Sequence, residues 1–108
     1  MINVNDLMQV LKHESLVKKV LKKEANIHVA TITPYKYNEV DCIRVTLYNS
    51  RMTNNQFEEL DKYFKTLEIY YTLDLDYTNK QETALCIGLP DYQKFMIYCK
   101  LKGGLYDE

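Results

Sequence analysis

At 108 residues, with 46% hydrophobic and 27% charged residues and a net charge of -1, the chain has the make-up of an ordered globular protein, not that of a disordered or uniformly basic one. No apolar run approaches the roughly 20 residues that span a bilayer, and the opening Met1-Ile-Asn-Val-Asn-Asp lacks the basic start and apolar stretch of a secretion signal, so a cytoplasmic protein of one domain, residues 1–108, is expected. Cys42, Cys86 and Cys99 are odd in number, have no C-x-x-C spacing and sit among apolar residues, which points to buried free thiols.

Residues 5–24 place Leu7, Val10, Leu11, Val17, Val20 and Leu21 three and four apart, the mark of an amphipathic helix with Asn5 or Asp6 as its cap. Ser15 is an alternative cap for a second helix after a break at His13-Glu14, and the pattern leaves one bent helix or two open. Ile27 to Thr33 is rich in β-branched residues and stops at Pro34. Asp41 to Tyr48 then alternates Ile43, Val45 and Leu47 against Cys42, Arg44, Thr46 and Tyr48. Together they predict a hairpin whose connection, Pro34 to Val40, carries Tyr35 and Tyr37 on a loop.

The next helix has the clearest start. Thr53-Asn-Asn-Gln56 fits a capping box with Met52 and Phe57 as a staple across it, and Phe57, Leu60, Phe64 and Leu67 form the apolar stripe. Glu68 to Asp76 alternates Ile69, Tyr71, Leu73 and Leu75 against Tyr70, Thr72, Asp74 and Asp76, a half-buried strand. Tyr77 to Glu82 makes a polar turn, and Thr83 to Leu89 returns as the second strand of a second hairpin.

The end of the chain fits two patterns. With Asp91 as cap and Gly103 as stop, Tyr92, Phe95, Met96 and Cys99 share one helical face, whereas Phe95, Ile97, Cys99 and Leu101 alternate as in a strand. The helix is preferred, at the cost of leaving Ile97 and Leu101 in need of cover. A shift of 42 residues superimposes Ile27, Val29, Ile43, Val45 and Leu47 on Ile69, Tyr71, Leu85, Ile87 and Leu89, so the two hairpins echo one another. The expected architecture is α+β, in the order helix, hairpin, helix, hairpin, helix, with a four-stranded antiparallel sheet covered on one face by helices.

Catalytic equipment is sparse. The only glycines, Gly88, Gly103 and Gly104, fit no phosphate-binding loop. Asp74-x-Asp76 with Glu82 suggests a hard-cation site for a metal-dependent hydrolase or nuclease, but calcium-loop spacing puts Asn79 where glycine belongs and Leu85 where the bidentate acid belongs. His13 and His28 lack the close ligand pairs of zinc sites. A nucleophilic pair of Cys42 or Cys86 with His28 across the sheet is a further candidate. The balance favours a chain that is not an enzyme and takes no cofactor.

Binding has more support. Arg44, Thr46, Tyr48, Tyr70 and Thr72 share one sheet face and offer a stacking platform for nucleic acid, with Lys18, Lys19, Lys22 and Lys23 as phosphate contacts. Against this, residues 58–82 carry seven acids and three lysines. Ten tyrosines stand in the chain and no tryptophan, and Tyr35, Tyr37, Tyr48, Tyr70 and Tyr77, with Asp74, Asp76 and Glu82, form the expected partner-binding set, an acidic surface with aromatic anchors suited to a basic protein. Self-association through open sheet edges is the other protein–protein route. Short, rich in Lys, Asn, Ile, Tyr and Glu, and free of motifs, the chain resembles small phage-encoded inhibitor proteins of the anti-CRISPR kind. That resemblance covers the chain by composition, and it implies a partner that is a nucleic-acid-binding defence protein without implying a fold.

Overall fold

A computed structural model describes residues 4–48, 53–76 and 82–106. In chain order the elements are α1 (Val4–Lys12), α2 (Glu14–Ala25), β1 (Val29–Tyr37), β2 (Val40–Leu47), α3 (Asn54–Thr66), β3 (Thr72–Asp76), β4 (Glu82–Gly88) and α4 (Leu89–Tyr106). The strands form an antiparallel sheet in the order β1-β2-β4-β3, packed against the helices in an α+β arrangement.

The first helical region breaks at His13, so the chain makes two helices, with His13 and not Ser15 at the second start. Asn5 and Asp6 lie inside α1 and do not cap it. α2 ends on Asn26, which takes the left-handed conformation (φ 54°) that a short amide side chain tolerates, and Ile27 N–H closes back onto Leu21 O at 3.1 Å.

β1 runs through Pro34 to Tyr37, so Tyr35 and Tyr37 lie in a strand, not in the expected loop. Proline is compatible with this place because β1 is an edge strand and loses no ladder bond on its free side. The connection shrinks to Asn38 and Glu39, both at positive φ (48° and 64°), the two-residue geometry whose twist matches antiparallel strands.

α3 starts with the capping box. Gln56 N–H donates to Thr53 Oγ1 (3.2 Å), and Thr53 N–H donates to Gln56 Oε1 (2.7 Å). Met52 lies outside the described residues. At the other end Glu68 adopts φ 58°, with its N–H on Lys65 O (3.0 Å) and Ile69 N–H on Phe64 O (2.9 Å), a Schellman closure with glutamate in the usual glycine place. This closure uses up the start of the alternating segment, so β3 begins at Thr72 and not at Glu68.

The final segment is a helix. It starts at Leu89, with Asp91 already in its first turn, and passes through Gly103 instead of stopping there. A Cβ at Gly103 would lie 2.5 Å from Leu16 Cδ1, so the glycine serves the close approach of α4 to α2. Ile97 and Leu101 remain on its exposed side.

One sheet face builds the core. Ile32, Ile43, Val45, Leu85 and Ile87 meet Val17, Val20 and Leu21 of α2, Leu60 and Phe64 of α3, and Tyr92, Phe95 and Cys99 of α4, all essentially inaccessible to solvent. Each large apolar side chain buried this way contributes roughly 1.5–3 kcal/mol of transfer free energy. Phe64 sits at the aromatic centre, with ring centroids of Tyr71, Tyr63 and Phe95 at 5.3, 5.4 and 5.5 Å. Above it, Tyr63 Oη (2.8 Å) and Tyr98 Oη (2.6 Å) both donate to Oε1 of Glu24, tying α3 and α4 to α2. No helix among the described residues is long and apolar enough to cross a membrane.

Candidate functional site

The other sheet face follows from the strand register. Residues paired across antiparallel strands point to the same side, so Thr33-Arg44-Cys86-Thr72 forms a central row. Tyr35-Cys42-Gly88 lies on one side of it and Thr31-Thr46-Ala84-Asp74 on the other. Cys42, Ala84 and Cys86 are buried, yet none belongs to the core cluster that holds the helices. Their cover comes from larger side chains of their own face.

Arg44 supplies much of that cover. Its guanidinium forms an ion pair with Asp74, lies 5.3 Å from the ring centroid of Tyr35 and reaches to 4.0 Å from Cys86 Sγ. One side chain thus links the edge strand β1 to the edge strand β3 across the sheet. Arginine suits the position because its planar, weakly hydrated group stacks on a ring and hydrogen-bonds a carboxylate together. The pairing also revises the sequence reading: Asp74 is not a bare acid, and Arg44 is not a free cation awaiting phosphate.

Beside Arg44 the face opens into a hollow of about 330 Å³, floored by Cys42, Cys86 and Gly88 and rimmed by Tyr70, Val40 and Asn38. A Cβ built on Gly88 meets nothing within 4 Å, so the hollow lies open above this strand position. Tyr70 stands at the rim, 78% exposed, and Val40 opposite is also exposed. Tyr48, 62% exposed, follows β2, where its N–H is held by His28 O at 2.8 Å. Tyr35 is 38% exposed beneath Arg44.

Of the residues expected from sequence, Tyr35, Asp74 and Tyr70 are therefore on or beside one face, and Tyr48 lies at the far end of β2. Tyr37, Asp76 and Glu82 take strand positions, with Asp76 paired to Glu82, but their side chains lie outside those described. Tyr77 lies outside the described residues altogether. Sequence reasoning missed the hollow. Its signal was Gly88 inside a strand, which marks close approach or an unfilled site.

The cysteine–histidine pair does not form. Cys42 is paired with Tyr35, whereas His28 precedes the opposite end of β1, about 20 Å away at the strand rise per residue. Burial pushes the Cys86 thiol up, against the opposing effect of Arg44, and a protonated thiol is a poor nucleophile. Among the described residues, no three His, Cys, Asp or Glu side chains gather as metal ligands.

No protein-family model, no curated protein and no solved structure matches this chain, so the geometry of the tyrosine-bearing face and its hollow is what a functional reading has to rest on.

Proposed function

We propose that the protein is a non-enzymatic binding module, a single domain of helix-hairpin-helix-hairpin-helix order that docks another protein on the tyrosine-bearing face of its sheet. The observation that carries this reading is Tyr70, 78% exposed at the rim of a hollow that lies open above Gly88. A large ring with a polar tip beside an unfilled apolar floor is the arrangement that anchors protein interfaces. Tyr35 and Tyr48 extend the aromatic set, the sequence adds Tyr37 and Tyr77 to it, and, with Asp74 already balanced by Arg44, the proposed preference for a basic partner falls to Asp76 and Glu82.

The compositional resemblance to phage-encoded inhibitors of the anti-CRISPR kind makes that partner a cytoplasmic, nucleic-acid-binding defence protein, whose phosphate-binding surface is basic. Direct binding of nucleic acid is the weaker reading, because Arg44 is already held by Asp74 and Tyr35.

The test is affinity capture from the native host followed by mass spectrometry, using the natural protein, Tyr48→Ala/Tyr70→Ala and Gly88→Val. Both variants are expected to lose the captured partner while each substitution shifts stability by no more than about 0.5 kcal/mol, the usual effect of surface changes. Capture that survives both variants overturns the reading. Salt-sensitive retention of DNA or RNA in place of a protein moves it to nucleic acid.

A further inference from the structure

The floor of the hollow beside Arg44 carries two thiols that the protein-binding reading leaves unused. Cys42 is paired with Gly88 and Cys86 with Arg44, so the two cysteines stand on neighbouring strands, diagonal to one another on one sheet face. Both are free, both are buried, and both line the hollow. Gly88, the strand partner of Cys42, leaves the space above its own position open.

The diagonal spacing decides what can join the sulfurs. A disulfide needs Cβ atoms about 3.5–4.5 Å apart, whereas diagonal neighbours have Cα atoms about 7–8 Å apart and Cβ atoms only somewhat closer. A direct bond is therefore out of reach without moving the strands. An ion held between the sulfurs replaces one S–S bond of about 2 Å by two metal–sulfur bonds of about 2.3 Å each. That lengthens the bridge by roughly 2.5 Å and brings its span to about 6–7 Å, which suits the diagonal.

The donor set then selects the ion. Two thiolates are soft donors and favour copper(I) over hard cations. Zinc asks for four ligands in a tetrahedron, and among the described residues no third His, Cys, Asp or Glu side chain joins the pair. Copper(I), a closed-shell monovalent ion, is satisfied by two sulfurs in line. Burial first, with Cys42 among the lesser causes, pushes the Cys86 thiol up, because two thiolates close together in a poorly solvated floor repel each other. A cation between them removes that repulsion. Arg44 Nη1 carries two hydrogens and reaches both Asp74 and Cys86 Sγ, the latter at 4.0 Å, so the anionic sulfur keeps an N–H donor without Arg44 leaving Asp74.

We infer that the hollow is a binding site for a single copper(I) ion, held between Cys42 Sγ and Cys86 Sγ on its floor. Binding is ligand exchange with no change of oxidation state. One cuprous ion and two thiols give a bis-thiolate complex of charge -1 and two protons, which pass to solvent; the S–H of Cys42, which donates to Val40 O at 3.4 Å, supplies one of them. The site goes beyond the protein-binding reading and does not depend on it, since Tyr70 stands at the rim and the thiols at the floor.

The test is anaerobic titration of the reduced, full-length protein with copper(I) in competition with bicinchoninate, a chromogenic chelator. One ion bound per chain is expected, with release of two protons and with two sulfur neighbours at about 2.2–2.3 Å in X-ray absorption. Cys42→Ser and Cys86→Ser should each weaken binding at least about 100-fold, beyond the cost of losing a supporting group outside the ligand set. Cys99→Ala, in the helical core, should leave it unchanged, and an equimolar amount of zinc should not displace the copper. The absorption measurement is made on the natural protein and decides the matter even where a serine variant fails to fold. Absence of uptake against the chelator overturns the inference, as does uptake that persists in Cys42→Ser/Cys86→Ser. A third sulfur or a nitrogen neighbour overturns it, and so does a copper-driven dimer, seen by size-exclusion chromatography, that takes one thiolate from each chain.

Discussion

The tyrosines on the helical side of the sheet and those on its open side are the same residue put to opposite uses. On the helical side Tyr63 and Tyr98 share Glu24 Oε1, Tyr71 donates to Asp61 at 3.1 Å, and Tyr92 is enclosed outright. On the open side Tyr48 and Tyr70 hold their rings in water, and Tyr35 lies under Arg44. For Tyr63, Tyr98 and Tyr71 a carboxylate at the tip of the ring lets the hydroxyl enter the packed side, whereas Tyr92 is buried without one.

Glu24→Ala should break the inner set most severely. It removes the shared acceptor of two part-buried hydroxyls, and about 2–4 kcal/mol of unfolding free energy is expected to go with it in chemical denaturation. A loss no greater than that of Tyr70→Ala would show that the two sets are not energetically distinct. The next largest effect is alkaline. Burial, then the bond to Asp61, pushes Tyr71 from 10.0 up to about 12, and burial, then Glu24, raises Tyr63 further. A folded-state pKa above the unfolded one means that the stability these groups contribute is complete below pH 10. For Tyr71 it is lost as pH climbs through about 12. Spectroscopic titration of tyrosinate should therefore show a late-titrating class that coincides with unfolding.

The smallest effect sharpens the comparison inside the core itself. Tyr63→Phe and Tyr98→Phe should each cost about 1–2 kcal/mol, because each removes a bond to a carboxylate. Tyr92 Oη is buried and finds no hydrogen-bond partner among the described residues, so Tyr92→Phe should leave stability unchanged or raise it by up to about 1 kcal/mol. Parallel thermal melts of the three variants measure the difference.

Much of the local structure was legible because its causes are local. The capping box of Thr53 and Gln56 and the alternation of β2 and β4 need only neighbours in sequence, and both formed. The 42-residue echo also has a physical counterpart in the inner strands. It maps Arg44 onto Cys86, and those two residues are directly paired, so β2 and β4 meet symmetrically about them. The outer strands do not follow: the shift would put Leu75, the counterpart of Thr33, opposite Cys86, where Thr72 stands. The bulge in β1 and the closure at Glu68 change those registers, and neither leaves a periodic trace. Pro34 misled for a related reason, since a proline that ends a central strand is harmless on an edge, and edges are assigned only when the sheet assembles.

The sequence by itself determined the alternation of the hairpins, the cap of α3 and the α+β composition, because spacing and capping act over a few residues. Tertiary structure decided which tyrosines are inside, that Arg44 and Asp74 neutralise each other, and that Pro34 falls on an edge strand. Each of those depends on groups brought together from distant parts of the chain, Glu24 with Tyr98 and Arg44 with Asp74, and no local pattern records which acceptor or counter-charge will arrive.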